Sequence, residues 1–155
     1  MNVIRSAYND ASDDKKSSVF LAGPTHRKDV EEKYKWRNEA IKIFSGFHYE
    51  GNLFIPEPFA GDYKYQIAWE EKHLEMATVI MFWIPRDMEE LPALTTNIEF
   101  GEWMKSGKVV LGYPKDAVHM NYLRYKAEKY GIPISHSIID TIAKVIDLLA
   151  KKINS

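Results

Sequence analysis

Apolar residues fall along the chain in short unbroken runs, separated by stretches in which they recur every three or four positions. "SVFLAG", "NLFIPEP", "TVIMFWIP" and "KVVLGYP" have the length and composition of buried strands, and each closes on glycine or proline. The shorter run "IPIS" marks a fifth strand. Between them the period changes to that of a helix. In "DVEEKYKWRNEAIKIFSGF", Trp36, Ala40, Ile43 and Phe44 share one helical face. Asp29 is placed to cap that helix, with Glu31 and Glu32 in its favourable first turn. "YKYQIAWEEKHLEMA" predicts a second helix, and "TTNIEFGEW" opens a short third one. "HMNYLRYKAEKYG" predicts a fourth, ended by Gly131. In the last, Ile138, Ile142, Val145, Ile146 and Leu149 lie on one face, with Ser137 as N-cap.

Strands alternating with helices through short loops predict an α/β fold: a flavodoxin-like, doubly wound parallel sheet of five strands in the order 2-1-3-4-5. The polar stretch "MNVIRSAYNDASDDKKSS" has no apolar core of the signal-peptide kind. Residues 1–17 are therefore expected to be a polar N-terminal extension, and residues 18–155 a single domain. In such sheets a ligand binds beyond the carboxyl ends of the strands, where the strand order reverses. That rule selects "AGPTHR", "PEPFAGDY" and "PRDMEELPALTTNIE".

Composition narrows the function mainly by exclusion. The net charge is −1 and basic residues are scattered among acids, so no nucleic-acid partner is expected. The chain has no cysteine, which removes disulfides, thiolate metal sites and a cysteine nucleophile, and fits a cytoplasmic location. No apolar run approaches the roughly 18 residues that span a bilayer, so no membrane partner is expected. Phosphate-loop and dinucleotide glycine motifs are missing, as is a serine elbow. The five histidines show no ligand spacing, so neither a metal nor a cofactor is expected.

Carboxylates at strand ends remain. Glu99 falls three residues after Thr96, which is the spacing of a helix capping box. It also falls in the first turn after the third strand, where a helix N-terminus favours an ionised carboxylate. Glu70 and Glu71 sit beside Trp69, just before that strand. Two carboxylates about one cleft, one ionised and one protonated, are equipped to break a glycosidic bond. Spacing alone leaves the capping and catalytic readings of Glu99 both open. It does the same for Glu70, which also reads as an exposed helix carboxylate.

Six segments in order, "VFLAGPTHR", "WRNEAIKIF", "FIPEP", "IAWEEKHLEMATVIMFWIPR", "LPALTTNIEFGEW" and "GKVVLGYP", resemble the nucleoside 2-deoxyribosyltransferase family. The resemblance implies a metal-free, cofactor-free enzyme of nucleotide salvage. It would exchange bases between 2′-deoxynucleosides and free nucleobases. It implies that Glu99, in the family's Glu-Phe-Gly position, is the nucleophile, and that Glu70 recognises the base and donates a proton. Phe20 would lie beside the sugar, Gly23 and Pro24 would form the pocket floor, and Trp69 would supply an aromatic wall for the base. Asn121 would reach the sugar 5′-hydroxyl in a neighbouring subunit, which implies a homodimer or larger homo-oligomer.

Departures from the family are also visible. A second acid of its other branch is replaced by Ala93, and "KKINS" lacks an aromatic end. Trp83 and Trp103 are expected in the core. Two alternatives share the scaffold. One is an N-glycosidase acting on nucleosides or their 5′-monophosphates, with His26 and Arg27 as phosphate donors. The other is an inactive nucleotide-sensing module.

Overall fold

The structure, a computed structural model, describes residues 1–8, 10, 15–26 and 35–155. Among these residues six parallel strands form one sheet: β1 (Asn2–Arg5), β2 (Ser18–Ala22), β3 (Asn52–Ile55), β4 (Val79–Trp83), β5 (Val109–Gly112) and β6 (Ile134–Ser135). Their order is β1-β3-β2-β4-β5-β6. This corrects the five-stranded expectation. The additional strand comes from the stretch taken as a polar extension, where Asn2 to Arg5 pair with Asn52 to Ile55. β1 lies at the sheet edge and is only partly buried, so it lacks the continuous apolar run of an interior strand.

Among the described residues five helices cover the sheet: α1 (Trp36–Gly46), α2 (Tyr63–Met76), α3 (Leu94–Trp103), α4 (Asn121–Lys129) and α5 (Ile138–Ile153). α1 starts at Trp36, and the proposed cap at Asp29 lies outside the described residues. Ser137 does cap α5, accepting from the Asp140 N–H at 3.2 Å. Asp62 caps α2 by accepting from the Tyr65 N–H at 2.8 Å. Gly131 follows α4 with φ +66°, the left-handed conformation that ends helices at glycine.

Alternation along the strands divides the core into two. Val19, Leu21, Val79, Met81 and Val110 face α1 and α5, against Ala40, Phe44, Ile142 and Val145. Phe20, Phe54, Ile80, Phe82 and Leu111 face the other helices, against Trp69, Phe100 and Leu123. Trp83 lies in the first cluster, and Trp103 packs on the edge of the second. Full burial of one such side chain contributes about 1.5–3 kcal/mol, which is why runs of five wholly buried residues define β2 and β4.

The chain leaves β2 for β3 on one side, then returns to place β4 on the other side of β2. The reversal puts a crevice beyond the carboxyl ends of β2 and β4. The backbones approach closely there. A side chain at Gly23, where φ is +151°, would come within 2.2 Å of the Trp83 carbonyl oxygen.

Candidate active site

The crevice holds a cavity of about 450 Å³, within the range of small-molecule sites. Its walls come from the segments after β2, β3 and β4 and from the facing sides of α2 and α3. Glu70 projects into it from α2 and Glu99 from α3. Gly23 and Pro24 border it from the end of β2, and Arg37 from the first turn of α1.

α3 begins differently from the capping-box expectation. Its N-cap is Ala93, in the left-handed region at φ 55°, ψ 40°, with no side-chain cap among the described residues. Leu94 is the first helical residue and Glu99 the sixth, so Glu99 stands in the second turn. None of Thr95, Thr96 or Asn97 caps this helix; the Asn97 side-chain oxygen Oδ1 accepts from Arg86 Nη2 instead. Buried Arg86 also donates from Nε to the Pro92 carbonyl at 3.1 Å and from Nη1 to the His119 carbonyl at 2.8 Å. Between those anchors the loop pairs with itself, Leu91 N–H to Asp87 carbonyl at 2.9 Å.

Arg37 organises the opposite side. It is 1% exposed and spends four donor contacts on neighbouring loops. Nε donates to the Leu21 carbonyl at 3.0 Å and Nη2 to the Gly23 carbonyl at 2.7 Å. Nη1 donates to Thr25 Oγ1 at 2.9 Å and to Glu57 Oε2 at 3.0 Å. Trp36 adds a bond from Nε1 to the Pro24 carbonyl at 3.0 Å. The loops after β2 and β3 are thus tied to the start of α1.

Glu70 is held by its own helix. Gln66, one turn earlier and buried, donates from Nε2 to Glu70 Oε1 at 2.7 Å and to the Pro56 carbonyl at 3.1 Å. Gln66 Oε1 accepts from the Ala60 N–H at 3.1 Å.

Both acids are poised to hold protons. Burial raises Glu70, while the Gln66 bond and the Arg37 charge pull it back. Burial first, and then the charge of Glu70, push Glu99 up to about 7 against the opposing charge of Arg37. The expectation that a helix N-terminus keeps Glu99 ionised is therefore corrected. Glu99 stands one turn beyond the strongest part of that field, and desolvation outweighs it.

The other residues singled out in the sequence separate into groups. Phe20 and Trp69 are core residues, 1% and 3% exposed, with ring centroids 6.2 Å apart. Trp69 stacks on His73 at 3.8 Å and does not border the cavity. The aromatic wall is made instead by Phe59 and Tyr63, which are 58% and 72% exposed. Asn121 is the exposed first residue of α4 and does not border the cavity of its own chain. His26 does not border it either, and Arg27 lies outside the described residues. Among the described residues no group of three His, Asp or Glu side chains is arranged to hold a metal ion. No described helix is long and apolar enough to cross a membrane.

Arg37, Gln66, Phe59 and Tyr63 were not picked out from the sequence as site residues. Gln66 carries a local signal, since its spacing from Glu70 is the i,i+4 of facing helical neighbours. Arg37 and Glu57 stand in the quoted segments "WRNEAIKIF" and "FIPEP", but their pairing is made only by the fold.

A doubly wound parallel sheet with two carboxylates bordering its switch-point crevice defines a flavodoxin-like α/β protein. Residues 16–117 match the family described as nucleoside 2-deoxyribosyltransferase like, and the match contains every residue that borders the cavity. The chain belongs to that family. No curated protein matches it.

Proposed function

We propose that the protein transfers 2-deoxyribose from a 2′-deoxynucleoside to a free nucleobase, through a covalent ester between the sugar and Glu99. The supporting observation is that Glu99 and Glu70 border one cavity, with both carboxyls shifted towards the protonated form. Two such groups titrate as a pair, and the state carrying one proton is the competent one. In it, the ionised Glu99 attacks C1′ of the sugar. The C1′–N bond breaks, and its electron pair leaves with the base, which takes the proton from Glu70. The incoming base then attacks C1′ on the side just vacated. It returns its proton to Glu70 as Glu99 departs, so configuration is retained.

The 2-deoxy sugar suits this minimal kit, because without a 2′-hydroxyl the developing cation forms more easily. Gly23 and Pro24 are assigned to the pocket floor, with Phe59 and Tyr63 against the face of the base. Phe20 and Trp69 are assigned to support beneath Glu70. Asn121 of a second copy is assigned to the 5′-hydroxyl, in a homodimer or larger oligomer. The activity belongs to nucleotide salvage and needs no cofactor.

Incubation with deoxyinosine and adenine is expected to yield hypoxanthine and deoxyadenosine. Glu99→Ala is expected to abolish that exchange while leaving the thermal transition cooperative. Exchange at the wild-type rate by Glu99→Ala would falsify the covalent route. Release of adenine from dAMP alone would identify a hydrolase of nucleotides, and tight nucleoside binding without base release a sensor.

A further inference from the structure

Gln66 is buried on α2, borders the cavity, and has no polar capacity left over for a ligand beyond one oxygen lone pair. Both of its N–H groups are committed, one to the Pro56 carbonyl at 3.1 Å and one to Glu70 Oε1 at 2.7 Å. Its oxygen faces the Ala60 N–H at 3.1 Å. These three partners fix the amide's orientation. Turning it over would set its oxygen against the Pro56 carbonyl and the Glu70 carboxylate, and its NH2 against the Ala60 N–H. The Pro56 and Ala60 contacts would become repulsive whatever the state of Glu70, and the Glu70 contact would do so whenever that carboxyl is ionised.

A consequence follows for Glu70. An oxygen that accepts a short N–H bond is the less favourable place for a proton, so the acidic hydrogen of a protonated Glu70 resides on Oε2. Among the described residues Oε2 has no hydrogen-bond partner, and Glu70 borders the cavity. We propose that Gln66 is a positioning residue for the proton transfer: it pins Oε1 and thereby presents Oε2, with its hydrogen, to the departing base. Ala60 and Pro56 are the backbone anchors of this device, so the loop after β3 sets the aim of an acid on α2.

The inference rests on the proposed role of Glu70 as proton donor, and its test separates the two. Gln66→Met keeps length and volume but loses every hydrogen bond. Its kcat/KM on deoxyinosine is expected to fall about tenfold or more, since general-acid catalysis contributes roughly 10²–10⁴-fold. On 7-methyl-2′-deoxyguanosine it is expected to stay within about twofold of wild type, because that base departs without needing a proton. Equal losses on the two substrates overturn the proposal and leave Gln66 a merely structural residue.

A second readout needs no turnover. Carbon-13 titration of the Glu70 side-chain carboxyl is expected to move to higher pH in Gln66→Met, because the ionised form loses a donor. An unmoved titration overturns the proposal even if activity falls. Should the wild-type protein release no base from any nucleoside, the proposed function and the proton-transfer role fail together, while this titration still decides whether Gln66 holds Oε1 of Glu70. If Gln66→Met does not fold, Gln66→Asn, whose shorter amide falls out of reach of Glu70, is expected to give the same two results.

Discussion

Arg37 Nη1 lies 3.0 Å from Glu57 Oε2, in an ion pair whose side chains are 1% and 14% exposed. The pair joins α1 to the loop after β3, and the same guanidinium holds the Leu21 and Gly23 carbonyls.

Breaking one side of a buried pair strands the other charge, at a cost of about 3–5 kcal/mol. Arg37→Met is therefore expected to lower the stability measured by urea unfolding by that order. The double variant Arg37→Met, Glu57→Leu is expected to recover part of the loss. Arg37→Lys is also expected to be destabilising, since an ammonium cannot reproduce the four-way fork. Equal stability of Arg37→Met and wild type would refute this account of the pair.

Glu99 carries a stability cost that depends on pH. Its value in the fold is about 7, against an ordinary 4.5, so the folded state binds more protons than the unfolded state between those limits. Stability contributed by the neutral carboxyl is present below about 4.5 and is lost as pH rises through about 7. By the size of that shift the loss is on the order of 3 kcal/mol. Glu99→Gln, neutral at every pH, is expected to raise Tm relative to wild type at pH 8 by several degrees more than at pH 4.5. A Tm difference that does not vary with pH would show that burial does not strain this carboxylate.

Gly23 tests the close approach of β2 and β4. Gly23→Ala places a methyl group 2.2 Å from the Trp83 carbonyl oxygen and 2.9 Å from the Trp36 ring, at φ +151°. A backbone carbonyl cannot swing aside as a side chain does, so a loss of about 3 kcal/mol or more is expected. A stability within about 0.5 kcal/mol of wild type, the span of an ordinary surface substitution, would mean that the two segments separate at little cost.

Phe59 and Tyr63 test the wall assigned to the base. Both are large, exposed and aromatic at the mouth of the cavity, where exposure costs little stability on removal. Stacking on a base contributes about 1–3 kcal/mol. Phe59→Ala and Tyr63→Ala are each expected to raise KM about tenfold with an unchanged Tm. Unchanged KM for purine and pyrimidine nucleosides alike would remove them from the site.

The interior of the fold was legible because burial writes itself as uninterrupted apolar runs: "SVFLA" and "VIMFW" are buried at every position of β2 and β4. β1 escaped notice because "NVIR" is an edge strand, half-covered and flanked by polar residues. Glu99 and Glu70 were found through the family's motifs, and both do border the cavity. Trp69 lies in the core and off the cavity because adjacency in sequence to Glu70 is not adjacency in space. Successive helical residues point about 100° apart, so a carboxylate that meets the cleft turns its neighbour onto the sheet. Arg37 and Glu57 stand in the quoted segments "WRNEAIKIF" and "FIPEP", but nothing in those segments says that the two meet. A lone arginine in an amphipathic helix reads as solvated, and only the closing of β2 against β3 brings its partner within reach.

The loop from Asp87 to Leu91 closes on itself by backbone bonds, while Arg86 grips Pro92, Asn97 and His119 from outside it. One guanidinium thus couples the pocket-lining Pro92 to the helix that carries Glu99, while the exposed turn between Asp87 and Leu91 stands apart from both. Met88, Glu89 and Glu90 form a removable tip. That tip does not border the cavity, so a designer can lengthen or exchange it while the pocket lining and the helix that carries Glu99 stay in place.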